Sequence, residues 1–274
     1  NSSSLLPATR LDAVPEYSVP GQPLDTLALV CRQLQLSVFS LVTATDQEAL
    51  VGAALARAGL PHLSLAIAGE EEAHPSTLHL APSRESLALA VVEAALAVGG
   101  RVGLVQHPLS SLLHTAPLLE LLQQQGQQPG LLLLTQPDNR AGLVRLRQED
   151  TTTVIVDLGA GLIKSFLYQA MQAGLLTPAT TFIFTSLDFP GVQLEFARMS
   201  GAQLLGFSLL DPELGDLGQV GGLVREDHRV ALLHDALLLF SSGLESLSRS
   251  LDPQSERLQC GEGGTVWGQG GQLL

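Results

Sequence analysis

Hydrophobic positions along the chain follow two alternating periods. Short apolar runs, typical of buried strands, alternate with longer segments in which apolar residues recur at i, i+3, i+4 and i+7. This alternation predicts an α/β protein with a mainly parallel sheet. The predicted strands lie at 36–42, 62–67, 77–81, 102–106, 130–135, 153–158, 181–186 and 204–209.

The segments of helical period begin and end at residues that favour helix termini. In segment 25–34, Leu27, Cys31 and Leu34 share one face. Segment 83–98 stops at a Gly-Gly pair, which ends helices readily. The predicted helices lie at 25–34, 46–58, 83–98, 109–125, 162–173 and 230–248.

Composition excludes several classes of protein. The 274 residues are 45% hydrophobic and 15% charged, which predicts a folded core. The net charge is −13 and no basic cluster lies beside aromatic residues, so proteins or small molecules are expected as partners, and nucleic acid is not. No window holds 18 uninterrupted apolar residues, and the chain shows neither an initiator Met nor a leader peptide. We therefore expect a processed form or a fragment without a membrane span.

One glycine-containing turn is compatible with a cofactor. The run VIVDLGAG at 154–161 is a strand followed by a turn and a helix, an arrangement in which backbone N–H groups can hold a phosphate. It lacks both the G-x-G-x-x-G spacing and the Lys-Ser/Thr pair of known phosphate loops. An ordinary strand-to-helix turn explains it, so no cofactor is expected.

No catalytic or metal-binding set stands out. His74 and His79 lie near the acidic run 70–72, but a spacing of five puts them on opposite faces of an extended segment, which favours a polar loop over a metal site. A G-x-S-x-G elbow is missing, and Asp157 and Asp188 are lone acids at separate strand ends. The sequence therefore predicts no catalytic residue, no metal and no enzyme activity.

Cys31 and Cys260 are the chain's two cysteines. They could be two buried thiols or a long-range disulfide, and the spacing does not decide between these. The run Asn1-Ser2-Ser3 is a formal glycosylation sequon, which makes Asn1 a candidate and adds a little weight to a secreted setting.

Several segments in order resemble one receptor family. The stretch 151–190, TTTVIVDLGAGLIKSFLYQAMQAGLLTPATTFIFTSLDFP, is similar to the second-lobe core of the amino-terminal domain of kainate-type ionotropic glutamate receptors. Its DFP ending is most like the high-affinity kainate subunits. LGFS at 205–208, HDA at 234–236, Cys260 and Trp267 follow in the order of that family.

The resemblance implies a bilobed, periplasmic-binding-protein-like fold of parallel sheets flanked by helices. The first lobe would comprise 1–81 and 208–274 and the second 82–207, with the first lobe incomplete because its usual first strand-helix unit is missing. The resemblance also implies a Cys31–Cys260 disulfide, worth about 4 to 5 kcal/mol in the loop-entropy account.

The resemblance further implies a function in subunit assembly. The chain would be an extracellular amino-terminal fragment of a kainate-type subunit of a glutamate-gated cation channel, at the neuronal plasma membrane. Its partners would be other receptor subunits, and it would reach the membrane only through other parts of its parent. Residues on the second and third family helices would form a dimer face, although they could equally pack on the sheet. These are Leu27, Leu34, Leu50, Ala54 and Arg57.

An alternative is a solute-binding protein that closes on a small polar ligand such as an amino acid. Relatives that bind amino acids hold them with hydroxyl and N–H groups after two first-lobe strands, which correspond to Thr43, Ala44, Thr45 and Ser64. No Arg or acid lies beside these positions in the predicted fold, so the signal for a bound amino acid is weak.

Overall fold

The computed structural model describes residues 12–19, 21–45, 47–67, 69, 74–108, 113, 115–209, 228–248, 257–258, 260 and 266–267. It divides into two compact units. Unit 1 comprises Asn1–Ser83 and Arg229–Leu274, and unit 2 comprises Arg84–His228. Asn1, the candidate glycosylation site, lies outside the described residues.

Both units are built from parallel strands and helices, which confirms the predicted fold class; this architecture is consistent with a periplasmic-binding-protein-like fold. The strands are β1 (Leu41–Thr43), β2 (His62–Ser64), β3 (Thr77–His79), β4 (Arg101–Gln106), β5 (Gly130–Leu133), β6 (Thr151–Asp157), β7 (Thr181–Phe184) and β8 (Gln203–Gly206). The helices are α1 (Pro23–Leu34), α2 (Glu48–Ala58), α3 (Arg84–Val98), α4 (Thr115–Gln124), α5 (Arg140–Gln148), α6 (Ala160–Gln172), α7 (Glu195–Arg198) and α8 (His228–Ser248).

Unit 1 contains a three-stranded parallel sheet in the order β1-β2-β3. An apolar cluster of this unit joins α1, α2 and α8 and includes Val30, Leu55, Leu244 and the single Trp of the chain, Trp267. Trp267 is only 3% exposed, so its fluorescence reports on this core.

A disulfide joins Cys31 of α1 to Cys260, with 5.5 Å between the two Cα atoms, and confirms the pairing that the resemblance implied. The segments around Cys260 are also held by backbone hydrogen bonds. The N–H of Leu258 donates to the carbonyl of Leu34 at 3.1 Å, and the N–H of Trp267 donates to the carbonyl of Ala58 at 2.9 Å. The late segment is therefore tied to the last turns of α1 and α2.

Helix α8 is the one described helix that is long and apolar enough to cross a membrane, by length and composition alone. The same helix buries Leu232, Ala236, Leu244 and Leu247 in two apolar clusters of unit 1. One such helix is weak evidence for a membrane span, and 28% of its most apolar stretch is buried, so the absence of a span stays a prediction.

Unit 2 contains a five-stranded parallel sheet in the order β5-β4-β6-β7-β8. Strand β6 is central and buried on both faces, as expected for a parallel sheet. Val154 and Val156 pack in the cluster that contains α5, α6 and α7 residues. Ile155 points to the opposite face, and α3 packs on β6 and β7. Helices therefore flank both faces of the sheet.

Candidate functional site

A polar cluster lies on one face of the sheet in unit 1. Every second side chain of β1, β2 and β3 points to that face, whereas Leu63, between two of them, points to the other face. Helix α2 packs over the polar face and adds Glu48 to the cluster. The polar members are Thr43, Glu48, His62, Ser64, Thr77 and His79. His62 and Ser64 are fully buried and Glu48 is 4% exposed, so these polar groups depend on one another for hydrogen bonds.

Hydrogen bonds link four of these side chains in a row. The Thr43 hydroxyl donates to Oε1 of Glu48 at 2.8 Å. Because that hydroxyl has one proton, its oxygen accepts from Nε2 of His62 at 2.7 Å. Nδ1 of the neutral imidazole then accepts from the Thr77 hydroxyl at 3.1 Å. The row assigns the Nε2-protonated tautomer to His62.

Burial changes the pKa of both ionisable members of this row. Desolvation raises the pKa of Glu48, although hydrogen bonds from Thr43, Thr45 and Ser64 and the nearby His79 act in the opposite direction. Desolvation, with smaller contributions from His79 and His74, lowers the pKa of His62 to about 4. At neutral pH the imidazole is therefore uncharged.

Some buried polar atoms of the cluster have no hydrogen-bond partner within the described part of the chain. These are Oε2 of Glu48, both ring nitrogens of His79 and the hydroxyl of the neighbouring Ser76. Oε2 lies 3.5 Å from Nε2 of His62, which already donates to Thr43. Glu48 could therefore accept a further hydrogen bond, and the neutral His79 ring could donate one and accept one.

The order of groups differs from that of a catalytic triad. In a triad an imidazole lies between a carboxylate and a hydroxyl and activates the hydroxyl. Here the Thr43 hydroxyl lies between Glu48 and His62, and its proton is directed at the carboxylate. Among the described residues, no three His, Cys, Asp or Glu side chains are arranged to hold a metal ion.

Three of the four residues predicted to hold a ligand, Thr43, Thr45 and Ser64, lie at this cluster and make hydrogen bonds within it or to nearby backbone. Besides the Thr43 bonds, the backbone N–H of Thr45 donates to Oε1 of Glu48 at 3.2 Å. The Ser64 hydroxyl accepts from the N–H of Ala66 at 3.3 Å, and Ala44 is exposed. The ligand role of these four residues stays a prediction.

Sequence reasoning missed Glu48 and His62. The signal for Glu48 was present, because Thr45-x-x-Glu48 matches the sequence pattern of a capping box, and the N–H of Thr45 donates to Oε1 of Glu48. In the structure α2 begins at Glu48 after its cap residue Gln47, so only this half of the motif is formed. His62 carried no comparable signal. A histidine at the start of a short apolar run predicts nothing about its neighbours in the sheet.

The residues predicted for a dimer face occupy different environments. Leu27, Leu50 and Ala54 are half-buried, and Arg57 is exposed. Leu34 is 1% exposed and packs inside the core of unit 1, so it is not available at the surface of this chain. Leu24, three residues before Leu27 on α1, is 80% exposed.

The crevice of unit 2 is closed by its own side chains. The strand order of the sheet reverses between the neighbouring strands β4 and β6. Open α/β sheets usually bind ligands at such a topological switch point. There the fully buried Asp157 accepts from Nε2 of Gln106 at 2.9 Å, the N–H of Leu113 at 3.0 Å and the Thr185 hydroxyl at 2.7 Å. These bonds give Asp157 a structural role.

The class of protein is defined by the fold: two α/β units of parallel strands flanked by helices, consistent with a periplasmic-binding-protein-like architecture. No family model matches the chain. Over 138 residues the chain is 24% identical to "Glutamate receptor ionotropic, kainate 4" of Rattus norvegicus, Homo sapiens and Mus musculus. Each match covers 45% of this chain but only 14% of the relative. The similarity supports a distant relationship to ionotropic glutamate receptors.

Proposed function

We propose that this chain is an extracellular amino-terminal domain of a kainate-type glutamate receptor subunit and that it acts in subunit assembly. Its partners would be other receptor subunits at the neuronal surface, and it would carry out no enzymatic reaction. The distant similarity to the kainate 4 subunits supports the receptor part of this proposal.

The polar groups of the unit 1 cluster already hydrogen-bond within the protein, and this favours assembly over ligand binding. The hydroxyl and N–H groups best placed to hold a small ligand already bond to Glu48, His62 and nearby backbone. A ligand would have to break these bonds, and each buried group left unpaired costs about 1 to 3 kcal/mol. This observation carries the choice of function.

The proposed contact surface lies on α1 and α2, and we call it the α1–α2 face. It comprises Leu24, Leu27, Leu50, Ala54 and Arg57. Arg57 makes no ion pair with any described residue. The exposed Leu24 and the half-buried apolar residues beside it supply apolar area of the kind buried at the centre of an interface, and arginine is among the residues enriched in interfaces.

Sedimentation velocity of the secreted chain tests this surface. The wild type should dimerise with rising concentration. Leu24→Asp and Arg57→Glu should each weaken the dimer at least about tenfold, because a new charge or a reversed charge would be desolvated in the contact. Both side chains are exposed, so neither change should disturb folding by more than about 0.5 kcal/mol.

Leu89→Asp is the matched control, because Leu89 is a 49% exposed leucine of α3 in unit 2. It should dimerise as the wild type does. A wild type that stays monomeric at every concentration would contradict the proposal. So would α1–α2 variants that dimerise normally, or a control that is equally impaired.

A second candidate function is the binding of a small polar ligand. The unpartnered Oε2 of Glu48 and the ring nitrogens of His79 favour it, since they could bond to an ammonium or a hydroxyl group. A thermal-shift screen with amino acids tests this function. A ligand at a hundredfold excess over its Kd adds about 2.7 kcal/mol, which raises Tm by several degrees. Glu48→Gln should remove the shift, and no shift with any amino acid eliminates this candidate.

A further inference from the structure

Unit 2 has a surface cavity that the proposed function does not use. It lies between the turn after β7, helix α7 and the start of β8, and its volume is about 420 Å³. Sites for small molecules have volumes of about 300 to 1,000 Å³. Its lining includes Phe189, Val192, Leu194, Arg198, Ala202 and Leu204.

The wall of the cavity is held in place by aromatic packing. The ring of Phe189 stacks on Phe184, with centroids 4.2 Å apart and planes 10° from parallel. The same ring lies against the backbone of Gly206, where a Cβ atom would collide with it. Phe184 is fully buried, so the face of the Phe189 ring that stacks on it is held against the core of unit 2.

Arg198 gives the cavity its chemical character. All the other side chains of the lining are apolar or glycine, so the remaining polar surface comes from the main chain. The guanidinium of Arg198 makes no side-chain hydrogen bond or ion pair with any residue that the structure describes, and Glu195, three residues earlier on α7, does not pair with it. Among the described residues, the guanidinium at this cavity is therefore not paired with a carboxylate, in a chain whose net charge is −13.

We propose that this cavity binds a small carboxylic acid with an apolar body. Guanidinium and carboxylate form two parallel N–H···O bonds, so the planar fork of Arg198 is suited to a carboxylate. More of the exposed lining is polar than apolar, and an aromatic or branched aliphatic body would cover the smaller, apolar part at Phe189, Val192 and Leu204. A carboxylate alone would contact only Arg198, and an apolar body alone would contact only the apolar lining, so the ligand should contain both.

Ligand-detected NMR and calorimetry with 3-phenylpropionate test the proposal on the whole chain. We expect a Kd of about 1 mM or tighter for a ligand of this size. Arg198→Gln should weaken binding at least about tenfold, because it removes the charge but keeps a polar side chain at an exposed position. Ala202→Leu should abolish binding by filling the cavity, and far-UV circular dichroism checks that each variant is folded.

Two controls distinguish recognition of the carboxylate by Arg198 from nonspecific hydrophobic binding. Arg145→Gln changes another exposed arginine of unit 2 and should leave the Kd unchanged. The neutral analogue 3-phenylpropanamide should bind at least about tenfold more weakly than the acid. The proposal is overturned if the wild type does not bind the acid at millimolar concentration, if the amide binds equally well, or if Arg198→Gln binds as the wild type does.

Discussion

Acidification should destabilise unit 1 through His62. The native imidazole is neutral, with a pKa lowered to about 4 from its usual 6.5. Between these two values the unfolded chain binds a proton that the native state rejects, so stability falls as pH falls from about 7 to about 4. Below that range both states are protonated, and this loss no longer grows.

The two pKa values give the size of the loss. For a group with an unfolded pKa of 6.5 and a native pKa of about 4, moving from about pH 7.5 to about pH 5 removes about 2 kcal/mol of stability. Glu48 acts in the opposite direction. Its raised pKa means that the native state binds its proton first, so protonation of this carboxyl stabilises the native state as pH falls.

Urea unfolding followed by Trp267 fluorescence measures this effect, since Trp267 lies in the core of unit 1. In a Glu48→Gln background the opposing carboxyl is absent, so the His62 contribution should appear alone. The additional change His62→Gln should reduce the loss of stability between the two pH values by about 2 kcal/mol. His234→Gln, at a 40% exposed histidine, is the control and should leave the loss unchanged. Equal losses with and without His62 would refute the reasoning.

Two further changes test other parts of the fold. Replacing Cys31 and Cys260 by Ala should lower the unfolding free energy of unit 1 by about 3 to 5 kcal/mol, because the disulfide no longer constrains the unfolded chain over a separation of 229 residues. An unchanged urea midpoint, followed by Trp267 fluorescence, would contradict this prediction. Asp157→Ala should destabilise unit 2 by about 3 kcal/mol or more, because the donors of Gln106, Leu113 and Thr185 lose their acceptor. Urea unfolding followed by far-UV circular dichroism measures the unfolding free energy of unit 2. A decrease of less than about 1 kcal/mol would show that water replaces the carboxylate as the acceptor.

The strands were predictable because buried parallel strands are apolar runs, and all eight predicted strands are present among the described residues. The predicted strand at 36–42 begins too early: Ser37 has a φ of 58°, which no strand residue adopts, and β1 begins at Leu41. Helix α5 was missed because charged residues dominate it and only Leu143 and Leu146 are buried. Helix α7 has four residues, too few to show a helical period.

The candidate site was predicted only in part. Thr43 and Ser64 were expected from the positions at which amino-acid-binding relatives hold their ligand, and in the structure they are the last residues of β1 and β2. The inclusion of Glu48 depends on how closely α2 approaches the sheet, and that approach requires Gly52, where a Cβ atom would come within 2.6 Å of the His74 ring. Such a contact links distant parts of the chain, and no local pattern records it.

The disulfide has a mechanical consequence. Cys31 and Cys260 are covalently joined, and the 229-residue span between them includes the whole of unit 2. Tension applied to the chain before Cys31 and after Cys260 passes through the sulfur–sulfur bond and bypasses the polypeptide between them. Force-spectroscopy traces of the oxidised chain should therefore show no extension from unit 2, and a reductant should release its full contour length. Pulling by anything attached beyond these two cysteines would leave unit 2 and its Arg198 cavity folded.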